Sequence, residues 1–409
     1  MITVEEAANI VLENVRTLPT KEMDIGDALG FCLAQDVRSD LDMPPFDKSA
    51  MDGYAVIAED TAGAPVKLEV VENIAAGYMP TKRLKKGQAS KIMTGAALPE
   101  GADAVVKVEE THTSEDGKRV LVHKRIEKGK NVSRRGEDIK AGQVALAKGT
   151  ELRPQEIGIL AAIGQRVVLV FSAPRIGIIS TGSELVKVTS KPMAGQIRDS
   201  NSYSIVAQAK QLHTEVEFLG MVPDDKMDIT NIIKRGLNKD VLILSGGVSM
   251  GEYDLVGDAL IELGVEIYFK KVALRPGKPT VFGKKGNTII FALPGNPVAT
   301  LVTFILFVGP AIRKMMGFAN PINRPIKATI ETELIKKKKR REYLPAQLRQ
   351  NVGNWLVSPV EWHGSGDLFS TTKANCLLIV PETVDRFDAG QLVDVLLFNS
   401  LGIGHGCKG

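Results

Sequence analysis

Three glycine-bearing strings, STGSE (180–184), SGGVS (245–249) and LPGNP (293–297), each follow a run of apolar residues. Glycine lets backbone N–H groups come close to a ligand, and a helix starting after such a loop adds partial positive charge. That chemistry suits an anion or a phosphate. None of the three has Walker A or GxGxxG spacing. One such loop alone is an ordinary tight turn between strand and helix; three on one sheet edge point to a ligand. RPGKP (275–279) adds two cations, Arg275 and Lys278, in a loop stiffened by Pro and Gly. Arginine offers a planar fork for oxyanions and lysine a point charge. Carboxylates stand beside these loops: Glu184 in STGSE, Asp224 and Asp225 in VPDD, Glu252 and Asp254 in MGEYD. Acids next to phosphate-binding backbone suggest a hard cation, Mg²⁺, bridging to phosphate oxygens. Each acid taken singly is equally at home in a solvated loop. SAMDGYA (49–55), with Asp52, and RRGED (134–138), with Glu137 and Asp138, read on their own as hairpin turns.

The elements that must hold these loops follow from the apolar pattern. RIGIIS, EVEFLGMV, DVLILS and TIIFAL read as strands, with helices expected over about 227–237, up to about 263, and after PGNP. Apolar strands alternating with helices predict a doubly wound parallel sheet covered on both faces, spanning 174–318. Ligands then sit beyond the carboxyl ends of the strands, where the glycine loops fall. Before it, 46–145 has short strand-like runs between Gly-rich turns and predicts an inserted β lid. That insert interrupts a helical or mixed unit, 1–45 and 146–173. Within it, helices are expected at the N-terminus, at 25–32 and over RPQEIGILAAIG. The segment 319–400 predicts a small β-barrel, and 401–409 a loose tail. The fold class is therefore multidomain α/β plus β.

Composition narrows the partners. The 409 residues are 44% hydrophobic and 24% charged, the balance of a soluble globular chain, with room for two to four domains. A net charge of +4 calls for neither nucleic acid nor a membrane surface, and 5% aromatics leave few stacking platforms. The run KKKKRR (336–341) reads as a solvated hairpin tip, because no basic stripe accompanies it. Cys32, Cys376 and Cys407 form no CxxC pair, which fits a reducing compartment without structural zinc. MITVEEAANIVLENV reads as an amphipathic helix and not a signal peptide. The apolar run 301–312 is too short and too interrupted to span a bilayer. The cytoplasm is the expected location.

PPFDKSAMDGYAV, KIMTGAALPEGADAVV, RRGEDIKAG, STGSEL, SGGVSMGEYD, RPGKP and LPGNPVA, in this order, resemble the MoeA/gephyrin E-domain family of molybdopterin molybdenumtransferases. The resemblance covers roughly residues 2–398. It implies an L-shaped homodimer with a site shared between the α/β domain of one subunit and the lid of the other. It implies a reaction in which adenylylated molybdopterin and molybdate give molybdenum cofactor and AMP, with Mg²⁺ assisting. By motif match, Asp52, Thr94, Asp138, Glu184, Asp224 and Asp254 fall at the family's catalytic positions. Glu184, Asp224 and Asp254 are the implied metal ligands. Thr181, Gly182, Ser245, Gly246, Gly247, Ser249, Arg275, Lys278, Pro294, Gly295, Asn296 and Pro297 match its substrate contacts. Arg275 stands where many relatives have Lys, and Pro345 and Gln347 stand where many carry basic residues. The molybdopterin adenylyltransferase is the implied pathway partner. Three other readings stay open: adenylylation itself, a tungstate-inserting paralogue, and a non-enzymatic scaffold. The first uses a related α/β domain and the same loops; for the second, tungstate and molybdate are nearly identical in size and charge; the intact acids and the lack of a long linker count against the third.

Overall fold

The computed structural model describes residues 1–247, 254–336, 340–351 and 353–398. Ser249 and Glu252, among the residues singled out above, lie outside them, as do Cys407 and the tail. The chain forms two compact units. One comprises Met1–Ala34, Gly149–Pro154 and the chain from Val167 onward; the other comprises Gln35–Lys148 and Gln155–Arg166.

The first unit opens on the expected helix, Val4–Asn14. Its start is fixed by a reciprocal cap: the Glu6 N–H donates to Thr3 Oγ1 (3.1 Å) and the Thr3 N–H donates to Glu6 Oε2 (2.8 Å). The helix expected at 25–32 is absent. Thr20–Asp24 is instead a strand paired antiparallel with Val167–Phe171. The chain then turns, because the Gly30 N–H donates to Leu152 O and the Leu33 N–H to Thr150 O. Those backbone groups are taken by a neighbouring segment, and Gly30 sits at φ 79°, outside helical space.

The α/β sheet of this unit has six strands in the order Glu215–Val222, Arg175–Thr181, Val241–Ser245, Thr288–Leu293, Val281–Lys285, Glu266–Phe269. The first four are mutually parallel, as the sequence predicts. Val281–Lys285 runs the other way, so the sheet is mixed. The reason is local: only Gly286 and Asn287 join it to Thr288, and two residues can make a hairpin but not a parallel crossover. Helices Lys226–Gly236 and Leu255–Glu262 sit close to the expected limits. The apolar segment after PGNP is one helix, Pro297–Met315, of 19 residues. It is long and apolar enough to cross a membrane, but 78% of its apolar window is buried inside the protein, the property of a core helix. Pro310 has no N–H to give, and the helix widens into a π-type turn at Phe304–Val308 just before it.

The last segment is the expected barrel. Arg341–Asn351 pairs with Asn354–Pro359, that with Ile326–Ile330, that with Leu392–Leu397, that with Cys376–Val380, and the last back with Arg341–Asn351. Five strands close on an interior of Ala328, Ile330, Leu344, Leu348, Val357, Leu378 and Val395. The basic run is not a solvated tip at its described ends. Lys336 is buried with Nζ donating to Pro381 O, and Arg341 pairs with Glu5 and Glu382.

The second unit is built on a six-stranded sheet, Ala104–Lys107, Gly53–Val56, Gln88–Ile92, Val66–Ile74, Arg119–Val122, Thr111–Thr113. Tyr54 and Val56 pack into one apolar cluster and Ala55 into another, so Gly53–Val56 is covered on both faces.

Candidate functional site

In the first unit the glycine loops leave neighbouring strand ends. Ser180 is in register with Ser245, Ser245 with Leu293, and Thr181 with Val222. STGSE, SGG, LPGNP and VPDD therefore emerge side by side at the carboxyl edge of four parallel strands. They line a cleft of about 610 Å³. Thr181, Gly182, Glu184, Asp224, Ser245, Gly246, Gly247, Pro294, Gly295, Asn296 and Pro297 all face it. Glycine is demanded here. Gly246 (φ 94°) and Gly247 (φ 67°) are left-handed, and a Cβ on Gly246 would stand 2.2 Å from Thr181 O. The helix after STGSE does not follow directly. A parallel pair, Leu185–Val186 with Ile197–Arg198, intervenes before helix Asn201–Lys210.

That intervening stretch brings residues to the cleft that the sequence reading passed over: Arg198, Asp199 and Asn201. Buried Asp199 accepts hydrogen bonds from Ser180 Oγ (2.7 Å), Ser202 Oγ (2.6 Å) and the Ser202 N–H (3.1 Å). Asn201 Nδ2 donates to Ser245 Oγ (3.0 Å) and Gly295 O (2.7 Å). The signal was present: RDSNS ahead of an apolar-periodic segment is a helix start. Ser365 was also passed over. Its hydroxyl accepts from Asn296 Nδ2 (2.7 Å), its carbonyl accepts from the Val298 N–H (3.0 Å), and Gly366 lines the cleft.

Glu184 and Asp224 are exposed at the cleft, and Asp224 is tied to STGSE because its N–H donates to Ser183 Oγ (3.0 Å). Asp254 does not line the cleft. It caps helix Leu255–Glu262, with Oδ1 accepting from the Gly257 N–H (2.9 Å) and Oδ2 lying 3.9 Å from Lys270 Nζ. Among the described residues no three His, Cys, Asp or Glu side chains gather as a metal cage. Two carboxylates on one cleft still fit Mg²⁺, which takes one or two carboxylates plus substrate oxygens and keeps waters.

The RPGKP cations stand elsewhere than expected. Leu274–Arg275 pairs with the barrel strand, and Arg275 Nη1 donates to Glu342 Oε1 at 2.8 Å. Neither Arg275 nor Lys278 lines the cleft, whereas Pro279 does. The Glu342 side chain is 5% exposed, so its charge depends on Arg275. Arg275→Ala should therefore cost about 3 kcal/mol by leaving a buried carboxylate unpaired, and adding Glu342→Gln should recover part of it. Urea unfolding of the three proteins measures this. Wild-type stability in Arg275→Ala would show that the guanidinium is free for an anion.

In the second unit the family strings are brought together. Arg134 Nη1 (2.6 Å) and the Arg135 N–H (2.8 Å) donate to Asp47, and Arg135 Nε donates to Asp42 (2.6 Å). RRGED is thereby bound to PPFDKSAMDGYAV. Exposed Asp138 is placed there by its N–H, which donates to Met43 O (3.0 Å). Gly53 lets strand Ala104–Lys107 pass, since a Cβ there would meet Val106 O at 1.9 Å. Just before it, Asp52 Oδ1 accepts from the Thr94 N–H (2.6 Å) and Thr94 Oγ1 (2.8 Å). These donors, the backbone one first, hold the Asp52 carboxyl below its ordinary 3.8. A depressed carboxyl adds stability that is present above its unfolded pKa and lost as pH falls through the folded one. Thr94→Val should move the Asp52 midpoint part of the way back up, because the backbone donor remains. Carboxyl ¹³C titration checks this, and an unmoved midpoint would contradict it.

Burial pushes the thiols of Cys32 and Cys376 up to about 12, so neither is a nucleophile near neutral pH.

Comparison with known proteins accords with this geometry. Residues 2–164 match the MoeA N-terminal region (domain I and II), 177–314 the probable molybdopterin binding domain, and 327–398 the MoeA C-terminal region (domain IV). The molybdopterin molybdenumtransferase of Bacillus subtilis is 36% identical over 97% of this chain and 94% of its own length. That of Staphylococcus epidermidis is 34% identical over 98% and 96%. The crystal structure of the molybdopterin biosynthesis MoeA protein from Pyrococcus horikoshii superposes with a TM-score of 0.81 at 31% identity, over 97% of this chain and 100% of that one. The chain thus belongs to the MoeA family of molybdopterin molybdenumtransferases, enzymes of molybdenum cofactor biosynthesis.

Proposed function

We propose that this enzyme inserts molybdate into adenylylated molybdopterin and releases AMP, with Mg²⁺ assisting. The observation that carries the reading is the cleft at the carboxyl edge, where two left-handed glycines and buried hydroxyls face the same space as two carboxylates. A pyrophosphate-bearing substrate and a tetrahedral dianion both need fixed N–H and O–H donors. Holding the two together turns a bimolecular encounter into a positioned one. Glu184 and Asp224 would hold Mg²⁺ against the phosphates. When bound, the ion offsets phosphate charge and polarises the phosphoanhydride. Arg198, on the cleft wall, adds a cation that the motif strings did not supply. The dithiolene that receives the metal belongs to the substrate, in keeping with the buried thiols.

Asp52, Thr94 and Asp138 belong to this proposal through the resemblance, as does the homodimer with a site shared between subunits. So do a molybdopterin adenylyltransferase as the supplier of substrate and a cytoplasmic location. The competing reading, adenylylation of molybdopterin, uses the same kind of α/β domain. The lid and barrel count against it, because that enzyme type resembles the α/β domain alone. Incubation with molybdopterin, ATP and Mg²⁺ separates the two. We expect no adenylyl-molybdopterin without a second protein; its formation by this chain alone would overturn the proposal.

A further inference from the structure

The cleft contains three strand-end hydroxyls, Ser180, Thr181 and Ser245, all buried. Each has one hydrogen to give and lone pairs to receive with, and the three are used differently. Ser180 gives its hydrogen to Asp199 at 2.7 Å, and that carboxylate also accepts two further donors from Ser202. Ser245 receives: Asn201 Nδ2 can only donate, and it reaches Ser245 Oγ at 3.0 Å. The second Nδ2 hydrogen goes to Gly295 O at 2.7 Å. The carboxamide therefore cannot turn over, since its oxygen would then face the Gly295 carbonyl. With one lone pair taken by Asn201, Ser245 keeps a hydrogen for which the described residues provide no acceptor. Thr181 is in the same condition. It is 2% exposed, and among the described residues its Oγ1 has no hydrogen-bond partner. Leaving a buried hydroxyl unpaired is unfavourable, and this one faces the cleft against the left-handed Gly246–Gly247 turn.

We propose that Thr181 and Ser245 are a donor pair for one tetrahedral oxyanion, and that Asn201 is the positioning residue that sets the polarity of Ser245. This rests on the reading of the cleft given above and adds a residue that none of the motif strings contains. Asn201 need not touch the anion. By donating to Ser245 it turns the hydroxyl hydrogen away from itself, and by holding Gly295 O it fixes the adjoining loop. A carboxylate at the same place would reverse the arrangement: it would take the Ser245 hydrogen and repel both Gly295 O and the anion.

The test is calorimetric titration of the full chain with two probes run separately, inorganic pyrophosphate and molybdate. The probe that binds tells which oxyanion the pair serves. For it, we expect about tenfold weaker binding in Ser245→Ala and in Asn201→Ala, the loss of one hydrogen bond to a charged group. The double variant should be no weaker than either single one. Additive losses would mean that Asn201 acts independently of Ser245 and would overturn the positioning role while leaving the reading of the cleft intact. Binding of neither probe by the wild-type chain would overturn both. Thr181→Val guards against variants that fail to fold. It removes an unpaired hydroxyl in favour of a residue suited to a strand end, so melting should be unchanged or higher while binding falls about tenfold. Wild-type binding in Thr181→Val would overturn the donor pair.

Discussion

Asp254→Asn should leave thermal melting close to wild type and, through the metal role that the family resemblance implies for this residue outside the cleft wall, lower Mg²⁺-dependent AMP release roughly a hundredfold, the scale of losing one preorganised charge. The two halves come from different atoms. Oδ1 accepts the Gly257 N–H and caps the helix, which an asparagine oxygen does as well. Oδ2 faces Lys270 Nζ at 3.9 Å, a weak pair. Asn keeps the cap and removes the charge. Asp254→Ala removes both and should cost about 1 kcal/mol in addition. Melting curves beside initial rates at limiting Mg²⁺ separate the effects. Full activity in Asp254→Asn would mean that helix capping is the whole of its role.

Gly246→Ala should be a severely damaging single methyl in the α/β domain. The residue is left-handed and its Cβ would lie 2.2 Å from Thr181 O, so the SGG loop must leave the strand edge. We expect a loss of ~2–4 kcal/mol, combining a disfavoured backbone conformation with overpacking, together with loss of oxyanion binding. Gly295→Ala is the internal comparison. Its Cβ would meet Gly246 Cα at 3.6 Å, an ordinary contact, so the fold should lose well under 1 kcal/mol. Urea unfolding of both variants gives the result. Equal stabilities would contradict the role assigned to the turn.

The contrast shows what was legible in the sequence. The glycine loops, the four parallel strands and the closed barrel were readable because each is written in local signals: apolar runs, turn residues and their spacing. What escaped depends on partners distant in the chain or on connection length. Arg275 looked like a free cation in RPGKP, yet its partner Glu342 lies 67 positions away. The reversal of Val281–Lys285 hinges on a two-residue turn inside an otherwise strand-like stretch. Turns replaced the helix expected at 25–32 because Leu152 and Thr150 take the backbone donors there. Asn201 went unnoticed for a different reason. A polar residue at a helix start has an adequate local explanation, and only the folded chain puts its amide between Ser245 and Gly295. Asp52 and Thr94, joined by two hydrogen bonds, were coupled only through the family resemblance.

The proposed function couples phosphoanhydride cleavage to metal insertion. The direct measurement is to supply the purified protein with adenylylated molybdopterin, Mg²⁺ and molybdate, and to count AMP released against molybdenum bound to the pterin product. The account predicts equal amounts, with negligible AMP when molybdate is left out. AMP release that proceeds unchanged without molybdate, or molybdenum loading without AMP, would contradict it.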